Sequence, residues 1–169
     1  GNISNWNVSN VTNMVGMFSQ SSFNKDISNW NVSNVQDMYS MFFGSIFNQN
    51  ISNWNVINVK HMNSMFRNSN FDGNIYKWNL NSVINMNNMF QGSNFNQDIS
   101  NWNVRGVVNM QYMFQESIFN RDISNWDVST VVNMSDMFKD NISISGENVE
   151  KIINRFWFKA NNELKQKYD

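Results

Sequence analysis

Three aspartates stand on a common 24-residue grid, Asp26, Asp98 and Asp122, and Asn50 and Asn74 fill the places between them. Carboxylates brought together by such spacing could hold calcium or act as an acid–base pair. Neither chemistry is expected. The repeat lacks the Gly-Gly-x-Gly-x-Asp pattern of calcium-binding repeats, and Asn interrupts the column. The chain has one histidine, His61, and no cysteine, so only a Ser–Lys arrangement could supply an activated nucleophile. The seven glycines are scattered and form no phosphate-binding loop. No catalytic, cofactor-binding or metal-binding residue is expected.

Those aspartates belong to a repeat. Trp6, Trp30, Trp54, Trp78, Trp102 and Trp126 recur every 24 residues without slippage. A fixed period of this length is the mark of stacked repeats, each too small to bury its own apolar face. Within a repeat, Val107, Met110, Met113 and Phe114 lie at 0, +3, +6 and +7, which predicts one face of a short helix of about three turns. Ser9-Asn10 and Ser33-Asn34 would cap the first two. The alternation around Asp122-Ile123-Ser124 predicts a short strand, with Phe119 and Ile123 inward and Asn120, Asp122 and Ser124 outward.

The expected fold is therefore an α/β solenoid, a right-handed leucine-rich-repeat-like stack of 24-residue coils. A parallel sheet would form one face and short helices the other. About six coils, the first incomplete, would fill residues 1–145, a rod on the order of 25–30 Å at ~4.8 Å per coil. Small residues such as Ser45, Ser69, Ser93 and Ser117 would let coils approach closely, and Asn side chains would form ladders between coils. Methionine recurs twice per coil, and its spacing points to core packing rather than copper binding.

The period breaks after Phe138. Asn141-Ile142-Ser143 resembles Asn50-Ile51-Ser52 arriving five residues early, and a shortened last strand is expected at 141–145. Val149, Ile152, Ile153, Phe156, Ala160 and Leu164 then predict an amphipathic helix within 146–169, covering the edge of the last coil. Its polar face carries both charge signs, which suits a cap better than a membrane-surface helix.

Net charge of −1 with 15% charged residues does not suit a nucleic-acid binder. No apolar run approaches membrane-spanning length. Gly1–Asn5 aligns with Arg121–Asn125, in mid-repeat, so a longer parent protein is expected, with any export signal upstream.

The repeat FNQDISNWNVxxVxNMxxMF, as at Phe95–Phe114, closely resembles that of BspA-like leucine-rich-repeat proteins. It is most similar to the form in mycoplasma surface lipoproteins, where a domain of unknown function carries FNQDISxWDTSNVTNMxxMF. The resemblance covers roughly residues 1–138. It implies a lipid-anchored, exported protein on the extracellular face, with a role in adhesion, host interaction or antigenic display. It supplies no ligand and no catalytic residue. The expected function is a non-enzymatic binding or adhesion module that meets a host-surface or matrix protein or glycan through its sheet face. Any membrane association would run only through an anchor outside this sequence. The alternative is a structural or antigenically variable spacer with no specific ligand.

The candidate face joins the repeating polar column Asp26, Asn50, Asn74, Asp98 and Asp122 to two departures from the repeat, Tyr76 and Lys77. Coil three reads Asp72-Gly73-Asn74-Ile75-Tyr76-Lys77 where others read Asn-Gln-Asp-Ile-Ser-Asn. An exposed tyrosine there suits a contact hot spot.

Overall fold

The computed structural model describes residues 1–156. The repeats stack in a register of 24 residues, but the expected α/β solenoid does not form. Within the described repeats there is no helix and no strand longer than one paired residue. Parallel pairing is confined to single bridges, from Asn13↔Asp37 through His61↔Asn85 to Asn109↔Asn133. The predicted sheet is absent, and the predicted outer helices are chains of tight turns.

The stretch from Met62 to Ser69 shows why. The N–H groups of Met62, Ser64, Phe66 and Asn68 donate forward to the carbonyls of Asn85, Asn87, Met89 and Gln91 in the next coil, at 2.8–3.0 Å. The N–H groups of Met65, Arg67 and Ser69 instead donate back to Met62, Ser64 and Phe66 at 3.2 Å. Alternate amides thus serve the neighbouring coil and the coil's own turns, and the buried backbone stays satisfied. This pattern demands a left-handed residue at two points per coil. Gly16, Ser40, Ser64, Asn88, Tyr112 and Asp136 occupy one point, with φ of 53–62°. Gln20, Gly44, Asn68, Gly92, Glu116 and Asp140 occupy the other, with φ of 53–62°. A helix cannot pass through such residues.

The predicted strand fails for a different reason. The Asp122 side chain folds back to accept the N–H of Ser124 at 2.9 Å, and Trp126 N–H donates to the Ile123 carbonyl at 3.0 Å. Two successive turns replace the extended run.

The apolar positions read from the sequence do form the core. Met38, Met41, Phe42, Met62, Met65 and Phe66 are fully buried, as are their counterparts through Phe114. Phe18, Phe42, Phe66, Phe90, Phe114 and Phe138 stack with centroids 5.4–5.8 Å apart. Phe23, Phe47, Phe71, Phe95 and Phe119 form a second column at 6.3 Å. These spacings exceed the ~4.8 Å between hydrogen-bonded chains, so the rings are offset as their quadrupoles prefer. Each indole from Trp30 to Trp126 donates to the isoleucine carbonyl of the coil before it, at 3.0–3.2 Å. Trp6 has no such partner among the described residues and is 56% exposed.

The stack ends on Asn141, which occupies the place of Ser45, Ser69, Ser93 and Ser117 rather than that of Asn50. Its buried amide donates to the carbonyls of Phe114 and Phe119 and to Ser117 Oγ, at 3.1–3.4 Å. Its oxygen accepts the N–H groups of Ser143 and Ile144 at 3.0 Å. No strand forms at 141–145. Ser145 then caps α1 (Gly146–Phe156), its Oγ accepting from Asn148 N–H at 3.3 Å. Val149, Ile152 and Phe156 are buried against the last coil. Ala160 and Leu164 lie outside the described residues. No described helix is long and apolar enough to cross a membrane.

Candidate functional site

The candidate column runs down one side of the stack, and its oxygens are already in use. Asp26, Asn50, Asn74, Asp98 and Asp122 each accept the N–H two residues on, from Ser28, Ser52, Tyr76, Ser100 and Ser124, at 2.8–3.0 Å. Such side chains mimic a backbone carbonyl and close the turn. Where the residue is an acid, the same bonds favour its ionised form. Hydrogen bonds from the Ser28 backbone and hydroxyl lower the Asp26 pKa, and Ser100 does the same for Asp98. At Asp122 the Ser124 hydroxyl and backbone act first, with Lys151 adding to them. Lys151 of α1 reaches Asp122 at 3.7 Å and Glu147 at 2.8 Å, both at the surface, where such pairs contribute little.

The adjoining column is more deeply structural. Asn24, Asn48, Asp72, Asn96 and Asn120 each accept a backbone N–H from the following coil, at 2.8–2.9 Å, ending at Ser145. Side-chain oxygens thereby do between coils what strand carbonyls would do in a sheet. This is the amide ladder, in a form that joins side chain to backbone.

Coil three keeps both sets of bonds but changes the residues around them. Asn48, Gln49, Asn50, Asp72, Gly73, Asn74, Tyr76 and Lys77, with Ser52 and Asn53, line one open depression of about 530 Å³. Four of the seven candidate residues meet here or on its rim: Asn50, Asn74, Tyr76 and Lys77. Asp26, Asp98 and Asp122 lie on other coils. Gly73 stands where Lys25, Gln49, Gln97 and Arg121 carry long side chains. A Cβ at Gly73 would sit 2.7 Å from the Phe71 ring, so no side chain fits there without a shift. Sequence reasoning left Gly73, Gln49 and Asp72 out of the candidate face. A glycine between the long polar Gln49 and Gln97 of the flanking coils was the available signal.

His61 lies in a second open depression, of about 360 Å³, with Thr12, Asn13, Gln36, Asp37 and Lys60. Among the described residues no ion pair or hydrogen bond links His61 to Asp37, and no three His, Cys, Asp or Glu side chains come together as metal ligands do.

A family model described as "Mycoplasma protein of unknown function, DUF285" matches residues 1–94 and again 68–169. The two matches overlap and together span the chain, as expected of a repeat whose units are interchangeable. No curated protein and no solved structure matches.

Proposed function

The chain belongs to this Mycoplasma family of unknown function, and from that premise we propose that it is a non-enzymatic binding module displayed on the cell surface. The observation that carries the reading is the convergence of coil three's departures on one place. Gly73, Tyr76 and Lys77 are separate in type and position, yet all three line the same depression. Serine and asparagine hold the places of Tyr76 and Lys77 in the neighbouring coils, at Ser52-Asn53 and Ser100-Asn101, and Gln49 and Gln97 flank the place of Gly73. The likeness of the repeat to BspA-like lipoproteins supports the extracellular location, a lipid anchor elsewhere in the parent protein, and a host-surface or matrix partner.

A second reading, a spacer without a specific ligand, is favoured by the regular columns, whose oxygens close turns and join coils. The two readings differ at coil three. Tyr76→Ser with Lys77→Asn restores the residues of the other coils and should leave the fold intact. Under the binding reading this double variant loses attachment to host cells or matrix-coated surfaces by tenfold or more. Equal attachment of variant and parent supports the spacer.

A further inference from the structure

We infer that the depression at coil three binds carbohydrate, an inference that rests on the binding reading above. It follows from which polar atoms remain available. The side-chain oxygens of Asn48, Asn50 and Asn74 are taken by the N–H groups of Asp72, Ser52 and Tyr76, at 2.9–3.0 Å. Their NH₂ groups are the atoms left to offer. Gln49 is the reverse: its Nε2 donates to Asn24 Oδ1 at 3.0 Å, which leaves its oxygen as an acceptor. Asp72 Oδ1 accepts from Asn96 N–H at 2.8 Å, and its second oxygen remains. One concave surface therefore sets fixed amide donors beside amide and carboxylate acceptors, with the Lys77 ammonium at the same rim.

Vicinal hydroxyls donate and accept at once, and this mixed, pre-oriented set suits them. The aromatic element is Tyr76, 36% exposed, whose ring gives the C–H face of a pyranose an apolar surface to cover. Other ligand classes fit less well. A protein hot spot needs a desolvated apolar centre, and Tyr76 alone supplies aromatic surface in this lining. Nucleic acid needs a basic face, and Lys77 is offset here by Asp72.

The test is an array of immobilised oligosaccharides probed with the whole chain. One arm carries mammalian-type neutral, sialylated and glycosaminoglycan structures, the other bacterial capsular oligosaccharides; the responding arm identifies the source. Hits are repeated with free oligosaccharide by titration calorimetry. Binding should fall at least tenfold in Tyr76→Ser and in Lys77→Asn and persist in Lys60→Gln, which copies Gln36 at the other depression. Unfolding midpoints equal to the parent's show that the fold is retained. No binding on either arm, or binding that survives both coil-three substitutions, overturns the inference. If host-surface attachment depends on Tyr76 but persists after the host glycans are enzymatically removed, the carbohydrate inference fails and the binding reading stands. If attachment ignores Tyr76 and Lys77 altogether, both fail.

Discussion

The indole nitrogen of Trp78 donates to the carbonyl of Ile51 in the coil before it, at 3.1 Å, and both residues are buried. The link crosses 27 residues of sequence but only one step of the stack. Trp78→Phe keeps most of the ring's packing and removes the donor, leaving a buried carbonyl without its partner. A loss of about 1–3 kcal/mol is expected, read as a lower urea midpoint. Trp6→Phe, at the exposed and unlinked position, should leave the midpoint within about 0.5 kcal/mol. Equal effects at the two positions would show that ring packing, not the indole bond, fastens the coils.

Glu116 holds φ of 54° at a point where Gly44 and Gly92 hold 61° and 62°. A side chain in this region costs about 1–2 kcal/mol, offset in part by the entropy glycine loses on folding. Glu116→Gly should raise the thermal midpoint, and Gly44→Glu should lower it. A lower midpoint for the first substitution would remove the case for strain at this position.

Asn141 serves three acceptors above it and two donors beside it. In Asn141→Ala the loss should exceed about 3 kcal/mol, because several buried groups lose a partner at about 1–3 kcal/mol each. Hydrogen exchange should localise the damage, with amides of the last coil and α1 exchanging faster and those near Trp54 protected as before.

The lowered pKa values of Asp26, Asp98 and Asp122 fix the sign of the acid response. Their ionised forms are favoured in the folded chain, so their stabilisation is complete above the unfolded carboxylate value of ~3.9. It is lost as pH falls below that value and through the lowered folded ones. Asp98→Asn and Asp122→Asn should flatten the acid limb of stability while changing little at pH 7, because Asn50 and Asn74 make the same turn-closing bond. Unfolding midpoints measured from pH 7 to pH 2.5 check this. An unchanged acid limb in the double variant would place the acid sensitivity elsewhere.

The register, the buried faces and the position of the C-terminal helix were legible in the sequence, because periodicity reports burial directly. The local conformation was not. Val107, Met110, Met113 and Phe114 have the spacing of a helical stripe, but tight turns closing every three residues bury the same positions. What distinguishes them is the left-handed pair per coil, and glycine marks it only at Gly16, Gly44 and Gly92. Ser64, Tyr112 and Glu116 adopt the same geometry and conceal it, since inter-coil bonds outweigh their own preference. The strand around Asp122 was misread because Asp and Asn favour turns through their side chains, a tendency the apolar alternation masked. At the candidate face, Tyr76 and Lys77 stood out by type. Gly73 and Asp72 became relevant only once 24 residues of separation brought coil two beside coil three.

From Trp30 to Trp126 the indole-to-carbonyl interval is the same 27 residues at every step. Duplication or deletion of any internal 24-residue block recreates that interval on both sides of the junction. In-frame exchange of a whole 24-residue unit would therefore lengthen or shorten the molecule while each new junction inherits the same set of contacts. Coil three, whose sequence has left the common pattern, is the one such exchange would erase, so its persistence can be read across isolates of differing length.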